Sequence, residues 1–564
     1  MSFRHFAFAA ALATSALVAA PLAGPAAAQD IAGPYLAATQ AAFRNDYAAA
    51  ARYYVEAANE DPGNPFLIQN SILNTVIIGD FDAAVPLAEA LRDLDADMQL
   101  GGLVLVADAL RREDYAAAMA HLNTEKFMLN PLLSGLLKGW VAAGMGETTE
   151  AGDHFDRLAK DTNFGQLGQY HKALVFALAG NFDGTSAIFA GDGNGPLRVN
   201  RASIIAHVQA LMQLDHREEA LDVIDDALAL GPSNELMALR RDIEAGNEVP
   251  FTYVTSPRDG AGEVFLTLAT ALSQEEAGRF ALLYARLAQE VRPGYVDALI
   301  LTADIFEEQG QYALSTADYA AVPKSSPIFR SAEIGRANAL ASGGHAEEAV
   351  VALRELAALF PEDRFVHVAL GDMLRHEEEY TQSAESYSEA IKLIDTATTS
   401  DWRTFYVRGI AYERMDEWDK AEADFRRSLE LSPDQPLVLN YLGYSLVEKQ
   451  IKIDEARDMI ERAVAARPND GYITDSLGWV LYRLGKFEEA VPHMERAAEL
   501  LPTDPIINDH LGDVFWKVGR EREAVFQWRR ALSFDPEPEE AEKIRLKLDI
   551  GLDAALDQWG EPGE

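Results

Sequence analysis

The chain has 564 residues, with 49 Lys and Arg against 90 Asp and Glu, a formal net charge of −41, 48% hydrophobic residues and no cysteine. The acid excess argues against nucleic acid and anionic membrane surfaces as partners, because phosphates are repelled, and favours basic or mixed-charge proteins. Disulfides, thiol catalysis and thiolate metal sites are excluded by the absence of cysteine, and the length suffices for a core without covalent staples.

Residues 1–28 carry Arg4, an apolar run from Phe6 to Ala20, and Ala26-Ala27-Ala28 ahead of Gln29. This pattern predicts a secretory signal peptide cleaved before Gln29 and delivery to the periplasm of a Gram-negative cell. The prolines Pro21 and Pro25, and an apolar run short of about 20 residues, argue against a membrane anchor.

Downstream, small, aromatic and proline positions recur. Tyr47/Ala50/Pro62, Phe81/Ala84 and Tyr115/Ala118 keep a common step of about 34 residues. Weaker units follow near Ala151, Thr185 and Ala220, the last with Pro232 in register. From Asn247 to Gly262 the pattern breaks into a β-branched, Pro- and Gly-rich stretch, which predicts a linker at 247–261 and a domain boundary there. The period resumes at Pro293, Pro327 and Pro361, with Ser315, Ala349 and Ser383 at the helix-crossing slot and a short insertion around Thr396–Asp401. It is clearest near the end: Pro433, Pro468, Pro502 and Pro536, with Ala421, Ala456, Ala490 and Ala524, and with Gly409, Gly443, Gly478 and Gly512.

Residues 470–502 show what one period encodes. Leu477 and Leu481 fall on one face of a first helix (helix A), Gly478 leaves room for a second (helix B), and Gly485 ends helix A. Phe487, Ala490, Val491, Met494 and Ala497 form the stripe of helix B. Three residue types locked to a period of about 34 residues resemble the tetratricopeptide repeat (TPR), which implies an all-α superhelical solenoid with a concave binding groove. About fourteen helix pairs are expected, some degenerate, in sections 29–246 and 262–536. Ile544, Leu548 and Leu552 suit a capping helix within 537–564.

Catalytic patterns are missing. No H-E-x-x-H, G-x-S-x-G or P-loop occurs. The stretch from Gly191 to Gly195 resembles the start of a calcium loop, but Pro196 stands where a third oxygen ligand belongs, so it reads as a turn. In Asp509-His510-Leu511-Gly512-Asp513 the imidazole sits within a repeat helix A, where helix packing explains it better than metal binding. No cofactor and no metal are expected.

The groove is the candidate site. Helix A positions three before, one after, and four or five after the repeat glycine should face inward. They hold Tyr406, Ile410, Glu413 and Arg414, then Asn440, Tyr444 and Glu448. The following two repeats place Asp475, Trp479, Tyr482 and Arg483, then Asp509, Asp513, Trp516 and Lys517 there. Aromatics interleaved with both signs of charge suit a protein partner. Trp418 and Trp528 fall in helix B packing slots, and Trp140, after Gly139, repeats the Gly-Trp arrangement in the N-terminal section.

Residues 439–446 (LNYLGYSL), 456–485 and 507–532 resemble a more specific family of exported bacterial TPR proteins. Its outer-membrane lipoprotein members bind a periplasmic carboxyl-terminal processing protease and deliver peptidoglycan hydrolases to it. The resemblance implies an adaptor with such partners, although this chain lacks the cysteine that lipoprotein members carry after the signal. An assembly or trafficking factor for outer-membrane or cell-wall machinery is the alternative; an enzyme with a TPR surround would need repeat-free sequence that only the short linker offers.

Overall fold

A computed structural model describes residues 27–94, 99–124, 129–160, 164–191, 196–197, 200–231, 233–274 and 278–559. The expected signal segment up to residue 26, the 192–195 part of the calcium-like stretch, Pro232 and the last five residues lie outside the described residues. The described residues form 31 α-helices and no strand: α1 (Ala27–Phe43), α2 (Tyr47–Glu60), α3 (Pro65–Ile77), α4 (Phe81–Asp93), α5 (Gln99–Arg111), α6 (Tyr115–Leu122), α7 (Pro131–Gly144), α8 (Thr148–Ala159), α9 (Gly165–Leu178), α10 (Phe182–Ala190), α11 (Arg201–Gln213), α12 (Arg217–Leu228), α13 (Asn234–Ala245), α14 (Pro257–Ser273), α15 (Gly278–Val291), α16 (Val296–Glu308), α17 (Tyr312–Ala320), α18 (Phe329–Ser342), α19 (Ala346–Leu359), α20 (Arg364–His376), α21 (Tyr380–Lys392), α22 (Trp402–Arg414), α23 (Trp418–Leu431), α24 (Pro436–Glu448), α25 (Ile453–Ala466), α26 (Gly471–Arg483), α27 (Phe487–Leu500), α28 (Pro505–Lys517), α29 (Glu521–Leu532), α30 (Pro538–Ile550) and α31 (Leu552–Trp559). The architecture is the all-α array of antiparallel helix pairs expected from the repeat.

Local chemistry sets the helix ends. Asp46, Asp80, Asp114, Asp470 and Asp504 cap helices by accepting backbone N–H groups. Proline opens α3, α7, α24 and α28, where its missing N–H costs nothing. The turn from helix A to helix B needs one residue with positive φ; Gly485 supplies it freely, whereas Asp416 does so at a steric cost. The periodic prolines sit between pairs, and their carbonyls lock neighbours. Arg462 donates to Pro433 O (3.0 Å) and Arg530 to Pro502 O (2.8 Å).

Residues divide into two compact units, one running to His345 and the other starting at Ala346. In the second unit the repeat glycines do what their spacing implies. A Cβ on Gly371, Gly409, Gly478 or Gly512 would lie 2.5–2.8 Å from Tyr387, Phe425, Met494 or Trp528 of the paired helix B.

In the first unit α1–α10 pair in the same way, but a second theme is added. The α14–α15 hairpin packs across the A helices α3, α5, α7 and α9. This explains why α5 is buried all round, from Gly101 to Leu110, rather than on one stripe. Gly260 of α14 lies flat on Trp140 of α7, with a hypothetical Cβ only 2.3 Å from the indole. The hairpin is also pinned by polar contacts. Arg286 of α15 donates to Ile77 O at the end of α3 (3.0 Å) and pairs with Asp318 (2.7 Å). Tyr170 of α9 donates to Glu263 of α14 (2.8 Å), whose carboxylate also accepts from Tyr253 (2.7 Å) and Tyr295.

The stretch read as a linker has a definite place. Residues 247–256 are irregular and Pro257 already opens α14. Tyr253 and Val254 are buried, and Gln209 Oε1 accepts the N–H groups of Thr252 and Tyr253. The segment therefore packs inside the first compact unit, and the division between units falls further along, after His345. The insertion before α22 is a capped 3₁₀ turn, Thr399–Asp401, whose buried Asp401 pairs with Arg364 (2.5 Å).

The seating of α14 on α7 gives a direct test. Gly260→Ala should destabilise the first unit by roughly 1–3 kcal/mol through overpacking against Trp140, read as a lower urea midpoint. An unchanged midpoint would mean that the two helices do not meet there.

Candidate functional site

The A helices of the second unit carry the predicted groove residues, and the structure sorts them into three groups. Arg414 is exposed. Tyr406, Asn440, Tyr444, Trp479, Arg483, Trp516 and Lys517 are half-buried. Asp475, Tyr482, Asp509 and Asp513 are buried, at 6%, 9%, 7% and 3% exposure, so their side chains face the protein rather than open solvent.

The first repeats of this face hold an aromatic cluster. The Tyr406 ring lies 5.9 Å from Trp402, 6.1 Å from Phe425 and 5.8 Å from Tyr441. Asn440 Oδ1 is buried with no hydrogen-bond partner. Arg414 lies beside Glu413 (3.7 Å) at the surface.

The centre of the site is a stack. The Trp479 indole lies between Tyr482 (4.7 Å, 13° between planes) and His510 (3.9 Å, 15°), and its N–H donates to Glu448 (2.8 Å). Arg483 approaches the same Glu448 at 3.6 Å. Trp479 lies off the Leu477/Leu481 packing stripe, and its ring is half-buried. Asp475 faces His510 Nδ1 at 3.0 Å.

Beyond the stack the charges are paired inwardly. Lys547 of α30 donates to Asp509 and to Asp513, at 2.7 Å each, and its side chain is only 6% exposed. Asp513 accepts the Trp528 N–H on its other oxygen (2.8 Å). Trp516 and Lys517 both donate to Asp553 of α31, at 2.9 and 2.7 Å. Sequence reasoning missed Lys547, Asp553 and the engagement of His510. One signal was present: Lys547 stands one repeat length after Asp513, so the period runs on into the tail.

The two remaining tryptophans on helix B divide. Trp528 is fully buried as expected, whereas Trp418 is half-buried beneath Lys449, whose amine lies 5.1 Å from the ring. Trp140 of the first unit belongs to the core, fully buried and donating to His171 Nδ1 (3.0 Å).

Burial and charge set the protonation behaviour. Burial alone would depress the His510 pKa, but Asp475 first, then Asp509 and Asp513, raise it above the ordinary 6.5. Burial pushes Asp513 up from 3.8 to about 6 despite Lys547. Among the described residues no group of three or more His, Asp or Glu side chains is placed to hold a metal ion, and no helix is long and apolar enough to cross a membrane.

The candidate site lies along the A helices of a helix-pair repeat array. The family model for the tetratricopeptide repeat matches residues 334–398, 402–435 and 448–505, and this part of the chain is built of TPRs. The TPR repeat-containing protein PA4667 of Pseudomonas aeruginosa is 27% identical over 181 residues, which cover 32% of this chain and 30% of that protein. The match thus spans under a third of that relative's length. Among solved structures, the APC/C hetero-tetramer Cut9–Hcn1 matches with 16% identity and a TM-score of 0.38, over 93% of this chain and 97% of that one. Yeast Tom70 matches with 14% identity and a TM-score of 0.31, over 94% and 97%.

Both shifted groups bind protons more readily folded than unfolded, so each contributes stability that is lost as pH rises. The Asp513 contribution falls between pH 3.8 and about 6, and the His510 contribution falls above 6.5, as its raised folded pKa is passed. The melting temperature should therefore be higher at pH 5.5 than at pH 8. His510→Gln should narrow that difference; an equal difference in both proteins would remove His510 from the effect.

Proposed function

We propose that this TPR protein is a non-catalytic periplasmic adaptor that brings cell-wall hydrolases to a carboxyl-terminal processing protease. The TPRs make it a protein-interaction scaffold, and the finer reading rests on the resemblance of residues 400–536 to exported bacterial adaptors of that kind. The observation that carries the interaction surface is the Trp479 stack with Arg483 beside it, half-open on the groove side. It continues towards the helix starts into exposed Leu437, Tyr472 and Ile506, which occupy the second position of three successive A helices. An aromatic anchor, a rim of apolar side chains and charges of both signs are what a protein partner uses. Holding a protease and its substrate on one chain would raise their effective concentration, which needs no catalytic residue in the scaffold.

Affinity capture from a periplasmic extract tests this, with the chain lacking residues 1–28 as bait. The expected result is recovery of a carboxyl-terminal processing protease with peptidoglycan hydrolases. Envelope assembly proteins without the protease would overturn the adaptor reading and favour an assembly or trafficking factor. Trp479→Ala with Arg483→Ala should cut the captured protease about tenfold, as loss of an anchor does, with little change in helicity by circular dichroism. Tyr482 is left intact in this variant because its burial makes its truncation a stability experiment.

A further inference from the structure

Several of the predicted groove residues already have an occupant. Asp509 and Asp513 hold Lys547, while Trp516 and Lys517 hold Asp553. The Trp516 ring also lies against Gly551, where a Cβ would come within 2.7 Å of it, so the turn between α30 and α31 is fitted to that indole. Burial raises the pKa of Tyr444 and of Tyr482, and the Glu540 carboxylate adds to the first shift as Asp513 and Asp553 add to the second. Both helices of the C-terminal pair therefore engage α28, α30 through Lys547 and α31 through Asp553.

The occupant is held in an unusual way. The helix α30 buries only Ala541, Ile544 and Lys547, and α31 only Leu552 and Ala555. The neighbouring A helix α28 buries eight residues, with Ile507, Leu511, Val514 and Phe515 among them. So α30–α31 is fixed by a deeply inserted lysine and a few aliphatic side chains rather than by a broad apolar face. Elements with few buried apolar contacts open at low cost. The carboxylates beneath are not fully used either, since Asp509 Oδ1 is buried with no hydrogen-bond partner. If the lysine left, Asp509 and Asp513 would face each other without a cation, so the vacated face favours a replacement lysine.

We propose that the concave face of α24, α26 and α28 is a receptor for an amphipathic helix that inserts a lysine between Asp509 and Asp513, and that α30–α31 is its resident, displaceable occupant. The partner segment carries an aliphatic residue three positions before the lysine and another just after it, as Ile544 and Leu548 flank Lys547. The lysine meets the Asp509 and Asp513 carboxylates with the favourable sign of charge. The inference rests on reading this face as a partner groove and is independent of which protein supplies the helix.

The probe is a fluorescent synthetic peptide of residues 536–559, titrated into the full chain and followed by anisotropy. In the wild-type chain the resident helix competes, so only a fraction of the molecules is open. Lys547→Ala in the chain weakens the resident and should tighten peptide binding about tenfold, in proportion to the open fraction. The same peptide carrying Lys547→Ala should not bind, and Asp509→Asn with Asp513→Asn in the chain should abolish binding. Hydrogen–deuterium exchange on the wild-type chain supplies a readout that needs no variant: saturating peptide should speed exchange within 538–559. Equal binding of the two peptides, or exchange in 538–559 unaltered by saturating peptide, would overturn the proposal even if Lys547→Ala failed to fold. Peptide displacement without capture of a protease would sink the adaptor reading alone, whereas capture with no displacement would sink this one alone.

Discussion

A helix that lines the concave side of a repeat array presents a face that its own pair cannot cover, and that face must still be removed from water if it is apolar. This constraint organises the first unit. Its A helices α5 and α7 are apolar over more than one face, as PLLSGLLKGWVAAG in α7 illustrates, so a groove left open there would expose side chains that gain most from burial. The chain answers with α14–α15, laid across α3, α5, α7 and α9. A binding groove in the generic repeat has become a core, with Trp140, Phe155 and Phe265 fully buried within the unit.

The second unit solves the same problem differently. Its A helices alternate apolar packing positions with Tyr, Trp, Asp and Arg, of which Trp479, Arg483 and Trp516 are half-buried, and α30–α31 pairs with the last of these helices. The coverage there is polar: a buried lysine on two aspartates, and the Trp516 N–H and Lys517 amine on Asp553. Buried ion pairs contribute little net stability but are strongly selective for geometry, since removing one partner strands the other. An apolar cover makes the first unit a permanent core, whereas a polar one leaves the second unit with a face whose occupant can be exchanged.

The repeat itself was legible because its physics is local. A glycine at the helix crossing, a small residue opposite and a proline in the turn are demanded by sterics within one pair, and Gly409, Gly443, Gly478 and Gly512 fulfil that demand. The offset of Trp479 from the Leu477/Leu481 stripe was legible for the same reason, and its ring is half-buried. What the period does not encode is which residues fold back. Asp509 and Asp513 read as open groove charges, yet their partner Lys547 lies far along the chain, in a helix whose acid-rich start looks like a plain cap. The stretch 247–261 reads as a linker from its Pro, Gly and β-branched content, while the packing of its first part depends on Gln209 and Glu263. Pairing of this kind leaves little spacing signature in one sequence, apart from the one repeat length between Asp513 and Lys547.

Self-coverage of the first unit is tested most directly by hydrogen–deuterium exchange of the unmodified chain, resolved to α5 and α14. Coverage predicts that residues 261–266 of α14 and 103–110 of α5 are both among the slowest amides of that unit and lose protection together as urea is added. Fast exchange throughout α14 while α5 stays protected would contradict it, because α5 would then be shielded by something other than the hairpin.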